Sequence, residues 1–286
     1  MDRATPVYAC VVEGCDGLRV REALRRVSSS SGLYPLLTAF DVCGWDIPWF
    51  NEETGQYIQE THPVNPDSLE HFWQSFQSDL PERLPWVAVN ATNAAMNIDS
   101  TKVFQALETL HLKQWEREYE ALFLPSSTES VAPFAWQLSL NAEPYAAIVL
   151  LPVCEPWQAA LFACHLSGNR EHGWAEIGYP EFSPKALHSY ELAQIAFDLV
   201  VCKHWWETCR AEIVYSEPNS LHWIAAYPPR TFEAALQLAK EQYLYCNDAV
   251  AQRARSCEDG RTLMAESICH LAQILQVSNR WSLGWD

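Results

Sequence analysis

The sequence predicts an α+β fold, a mixed β-sheet with flanking helices, and a division into two lobes near residue 130. Of 286 residues, 49% are hydrophobic, which is enough for a sizeable core. Apolar runs of strand length recur beside segments whose apolar residues follow helical spacing. One stretch, "LPSSTESVAP" at residues 124–133, has no periodicity and carries two prolines and four hydroxyl residues. It is the best candidate boundary, and it separates an N-terminal α/β lobe, 1–125, from a C-terminal domain, 134–286.

Taken in order, residues 7–12 read as a strand, and Val20, Ala23, Leu24 and Val27 as one face of a helix. "SSSSG" breaks the chain before a second buried strand at 34–40. "DVCGWDIPWFNEETGQY" mixes rings, acids and backbone-bending residues and reads as strand ends and loop. Asp67, with Glu70 three positions on, begins a helix over Leu69, Phe72, Trp73, Phe76 and Leu80 that Pro81 ends. Residues 99–123 form one long helix or two short ones on Val103, Leu107, Leu110, Trp115, Tyr119 and Leu122.

Beyond the boundary, 134–140 and 145–153 read as strands, and the nearly continuous apolar character of the second places it centrally in a sheet. Leu192, Ile195, Leu199, Cys202 and Trp206 mark a helix over 188–210. "AEIVY" and "LHWIAA" flank the turn-rich "SEPNS" and predict an antiparallel hairpin. Pro228 and Pro229 stop the second strand, Thr231 is the expected N-cap, and Phe232, Ala235, Leu236, Ala239 and Tyr243 share a helix face. A last helix on Leu263, Ile268, Leu271 and Leu275 leads to a terminal strand in "NRWSLGWD".

The 36 acidic residues against 19 Lys and Arg give a net charge of -17. Such a surface repels nucleic-acid phosphates and anionic lipid heads and attracts a basic partner. No secretory signal and no apolar run of membrane-spanning length stands out, and the ten cysteines contain no CxxC pair. Free thiols in a reducing cytoplasm are expected. Thirteen Trp, eleven Tyr and eleven Phe supply either an aromatic core or binding anchors.

No chemistry-bearing motif stands out. Cys164, His165, His172 and Glu176 surround "SGNRE", but the six residues between the histidines match no standard metal spacing, so neither a metal nor another cofactor is expected. A thiol nucleophile could be built from Cys246, Cys202 or Cys164 with His204, His222 or His165, and nothing in the spacing selects a pair. Free cysteines are among the most buried residue types, so packing is the alternative. Walker, dinucleotide and GxSxG patterns are absent, so no catalytic residue is assigned. Asp41 with Asp46, or Glu52 with Glu53, could act as acid and base or form a solvated charged face. Trp45, Asp46, Trp49, Glu52 and Glu53 together have the composition of a surface that captures a basic protein. Core tryptophans flanked by solvated acids would give the same string.

The strings "HWWETCRAEIV", "PPRTFEAALQLAKEQYLYC" and "RWSLGWD" resemble the bacterial domain-of-unknown-function family 4253, over roughly residues 145–286. "SGLYPLL" weakly extends the resemblance toward the N-terminus, and "HLSGNREHG" stands where members tend to carry a Gly-Gly-Trp-Asn-like turn. The family brings no established reaction. Association of its relatives with interbacterial toxin systems implies an immunity (antitoxin) protein. The partner implied is a cognate toxin, a basic nuclease effector of type VI secretion, with no direct contact to nucleic acid or membrane. The competing expectation is a hydrolase-like enzyme with a groove near His165, His172, Tyr243 and Cys246. A scaffold for an unrelated partner is a third.

Overall fold

The protein, seen in a computed structural model, is described at residues 8–13, 16–28, 31–39, 49–51, 56–58, 84–121, 123, 145–166, 190–217, 220–250 and 267–284. The predicted class holds: helices pack on a mixed sheet. In chain order the elements are β1 (Tyr8–Glu13), α1 (Gly17–Ser28), β2 (Tyr34–Ala39), β3 (Trp49–Asn51) and β4 (Gln56–Ile58). Then follow α2 (Leu84–Asn97), α3 (Ser100–Ala121), β5 (Tyr145–Leu151), a 3-10 turn (Pro156–Ala159) and α4 (Ala160–Leu166). The chain continues with α5 (Tyr190–Cys209), β6 (Ala211–Glu217), β7 (Ser220–Ala225), α6 (Phe232–Tyr245), a second 3-10 turn (Asn247–Ala249), α7 (Ile268–Val277) and β8 (Arg280–Gly284).

The main sheet has the order β1-β5-β2-β6-β7-β8. Only the β2–β6 pair is parallel, with Leu37 opposite Tyr215; the others run antiparallel. β5 is interior and Ala146–Val149 are fully buried, as a strand covered on both faces must be. β5, which follows the candidate boundary, lies between β1 and β2, which precede it, so one sheet draws strands from both sides of residues 124–133. The segment read as strand ends and loop holds the β3–β4 hairpin, with Trp49 opposite Ile58. The expected helix from Asp67, the expected strand at 134–140 and the boundary at 124–133 lie outside the described residues.

One sheet face carries the larger core, where Leu36, Val149, Leu151, Ile213, Leu221, Trp223, Trp281 and Leu283 meet the helices that follow α1. The opposite face carries Leu37, Ala146, Ile148, Val214 and Tyr215 under Leu18, Val20 and Leu24 of α1. Gly17 begins α1, and a Cβ there would lie 3.1 Å from Leu37 Cδ1, so its lack of a side chain permits this close approach. The α1 stripe differs from the expected one: Val27 and Ala23 are exposed, and Arg21 is buried in their stead. An arginine enters the inward face because its donors are met there, a compensation that apolar spacing does not reveal.

α5 is buried around most of its circumference. Ala193, Ala196, Phe197, Leu199, Val200, Val201, Cys202 and Trp205 are all in the core, whereas Ile195 and Trp206 of the expected stripe are only half-buried. On α6 the inward face is Ala235, Leu238, Ala239, Gln242 and Tyr245, rotated from the expected face, and Phe232 is exposed. Thr231 is the α6 N-cap, its Oγ1 accepting from the Ala234 N–H at 3.2 Å. Among the described residues no helix is long and apolar enough to cross a membrane.

Candidate functional site

The rings of the C-terminal segment converge on Trp205. Its indole meets Trp223, Tyr245 and Trp281 edge-on, with centroids 5.6, 5.4 and 6.3 Å away, and Phe197 stacks on Tyr245 at 5.8 Å. Edge-to-face contact suits the quadrupoles of aromatic rings, so this cluster is a core element, and its members are not surface anchors. Tyr245 donates its phenol to buried Asp198 Oδ1 at 2.7 Å. Cys246 is buried, and its thiol donates to the Gly284 carbonyl at 3.1 Å. Tyr243 is half-buried, and burial raises its phenol pKa. Burial also pushes the Cys209 thiol up to about 11, so at neutral pH it is protonated and donates to the Trp205 carbonyl at 3.0 Å.

Among the described residues, three polar clusters carry the remaining chemistry. In the first, Arg21 donates to Tyr34 Oη at 2.6 Å, to the Pro35 carbonyl at 3.1 Å and to Glu22. Arg25 grips Glu212 through Nε and Nη2 at 3.1 and 2.8 Å, while Arg21 reaches the same carboxylate at 3.3 Å. Burial pushes the Glu212 carboxyl up, but the Arg25 hydrogen bond and the charges of Arg21 and Arg25 outweigh it and hold it below its ordinary 4.5. Burial drives the Tyr34 phenol well above its usual range, so it stays protonated and donates to the Ile213 carbonyl at 2.6 Å. This cluster fastens α1 to β2 and β6.

The second joins Glu217, Ser220 and His222 on the β6–β7 hairpin. Ser220 Oγ donates to Glu217 Oε2 at 2.6 Å and lies 3.0 Å from His222 Nε2, which is 3.5 Å from the same carboxylate oxygen. The serine proton is directed at the carboxylate, so the imidazole meets the hydroxyl as a donor and does not activate it. Tyr215 stacks on the ring at 5.0 Å.

The third is linear. Ser100, first residue of α3, has its Oγ 2.9 Å from Nδ1 of His204 on α5, whose Nε2 lies 3.2 Å from Glu241 Oε2 on α6. Trp205 Nε1 donates to Glu241 Oε2 at 3.2 Å and Gln237 Nε2 to Oε1 at 2.9 Å, so the carboxylate is held from three directions. The Phe104 ring lies 5.2 Å from the imidazole. A carboxylate needs a donor, so Nε2 carries the proton in neutral His204 and Nδ1 is left to accept from the Ser100 hydroxyl. A second tie between α3 and α6 is the Lys240–Glu108 ion pair at 2.5 Å.

His204 was among the histidines the sequence offered to a thiol; the structure gives it a serine hydroxyl and a glutamate instead. Ser100 and Glu241 were not singled out, because partners this far apart in sequence leave no local spacing to read. Trp45, Asp46, Glu52, Glu53, His172 and Glu176 lie outside the described residues. Trp49 belongs to β3, and Cys164 and His165 to α4, as backbone positions whose side chains lie outside the description. Among the described residues no group of three His, Cys, Asp or Glu is arranged to hold a metal ion. None of Cys10, Cys154, Cys202, Cys209, Cys246 and Cys269 is in a disulfide.

Residues 187–286 match a family model whose description is Domain of unknown function (DUF4253). The matched segment starts later than the resemblance read from sequence and comprises α5, the β6–β7 hairpin, α6, α7 and β8. No curated protein and no solved structure matches the chain.

Proposed function

We propose that this chain is an immunity (antitoxin) protein that neutralises a basic secreted bacterial toxin by direct binding. The toxin class is a nuclease effector of type VI secretion, and the chain's role is similar to that of the immunity protein TsiT. The observation that carries the reading is the charge excess. Ion pairs such as Arg25–Glu212, Lys240–Glu108 and Arg19–Asp16 use one acid for each cation, so they leave the net charge of -17 untouched. Nuclease surfaces that grip phosphate are basic, and an acidic protein meets them with favourable steering and screens with salt. Burial of Cys246 and Cys209 leaves these thiols unsuited to attack on a substrate, which weighs against a cysteine hydrolase built on them.

Calorimetric titration with the purified product of the neighbouring gene, at two salt concentrations, tests the reading. Tight binding that weakens as salt rises is expected; absence of heat at micromolar concentrations overturns it. Trp45, Asp46, Trp49, Glu52 and Glu53 form the first surface to test. Trp45→Ala and Trp49→Ala should each weaken binding by about 2 kcal/mol if the rings are anchors, with the fold intact by circular dichroism. Unchanged affinity in both variants removes that surface.

A further inference from the structure

From the Ser100–His204–Glu241 chain we infer that this protein has a second capability, independent of toxin binding: Ser100 is an activated nucleophile that hydrolyses neutral or cationic carboxylic esters. Three features set this cluster apart from the Ser220 cluster, which has the same residue types. The order is hydroxyl, imidazole, carboxylate, with one imidazole nitrogen for each partner, at 2.9 and 3.2 Å. Glu241, fixed by Trp205 and Gln237, determines the tautomer and leaves Nδ1 as the base toward Ser100. The hydroxyl end is the more open one: Ser100 is half-buried between exposed Asp99 and exposed Thr101, whereas Glu241 is buried. A substrate can therefore reach the serine without reaching the carboxylate.

Attack forms the bond from Ser100 Oγ to the ester carbonyl carbon as the hydroxyl proton passes to His204 Nδ1. The carbonyl electron pair moves to oxygen, then returns and expels the alkoxide, which takes the proton from Nδ1. Water repeats the sequence, giving the acid and restoring the hydroxyl. Asp99 Oδ1 accepts from the Thr101 N–H at 3.0 Å, so that amide is engaged. The Ser100 amide, in the first turn of α3 and not required by the helix, is the donor that remains for the carbonyl oxygen. The -17 charge disfavours anionic esters, which sets the substrate class. Glu241 is a positioning residue, since it acts through His204.

The test is reaction of the full chain with a fluorophosphonate probe, mapped by peptide mass spectrometry, with p-nitrophenyl acetate turnover beside it. An adduct on Ser100 is expected, lost in Ser100→Ala and formed at least tenfold more slowly in His204→Asn, with circular dichroism unchanged in both. Glu241→Gln should lower kcat with KM unchanged, a split that general loosening of the helices would not give. No adduct on Ser100 in the folded protein overturns the inference. So does an adduct that forms equally fast in wild type and His204→Asn, because the imidazole would then be idle.

Discussion

Arg21 is 2% exposed, and an arginine so placed is tolerated only because its Nε, Nη1 and Nη2 each donate to an acceptor. Glu212 is the partner it shares with Arg25, and the arrangement makes Glu212 the acid on which α1 depends. Removing one member of a buried pair costs more than the pair itself contributes, because the other charge stays behind. Glu212→Gln should therefore lower unfolding free energy by about 3 kcal/mol at about pH 7, measured by urea denaturation. The pH dependence has a definite sign. Glu212 titrates below 4.5 in the folded chain, so its contribution is complete above that value and is lost as pH falls through the lower folded value. Wild type and Glu212→Gln should thus converge in strong acid. A gap of equal size at about pH 7 and about pH 3 would show that the carboxylate charge is not what stabilises α1.

At the scale of the element, α6 shows how a correct helix can carry a misread face. Thr231 caps it as its residue type predicts, and Thr231→Ala should cost about 1 kcal/mol while Thr231→Ser stays near zero, again by urea denaturation. Equal stability of the three would mean that the 3.2 Å bond to Ala234 contributes nothing. The inward face was misread because Gln242 is buried and Phe232 is not, the reverse of what their polarity suggests. α5 was misread for a different reason: residues 196–202 are buried without a break, so its burial follows no single stripe. α2 escaped the sequence reading because its buried contacts, among the described residues, are Ala91 and Ala95, small residues among Asn and Thr that favour helix only weakly. The strands β1, β2 and β5 were legible as short apolar runs, β6 and β7 as a hairpin around a turn-rich connector, and β8 as a Trp-rich terminal stretch. The Ser100–His204–Glu241 chain was not, since three separate helices supply it and only packing brings them together.

For the whole molecule, the boundaries of the family match and of the folded unit do not coincide. The matched segment, 187–286, ends its share of the sheet at β6, whose neighbour β2 comes from the first forty residues. Cut free, it would expose the β6 edge, where Leu37 now stands opposite Tyr215, and remove the α1 residues Leu18, Val20 and Leu24 from above Val214 and Tyr215. Glu212 would lose both arginines, Lys240 would lose Glu108 and His204 would lose Ser100. Net stabilities of domains are only about 5–15 kcal/mol, and loss of the α1 clasp alone takes about 3 kcal/mol from that margin. The segment 187–286 should accordingly show no cooperative urea transition when produced alone. Adding the complementary fragment 1–186, which holds β1, β2 and β5 together with α1 to α4, should restore one. A sharp transition for 187–286 by itself would mean that the matched family segment is an autonomous domain and that the strands from the first half are an accessory to it.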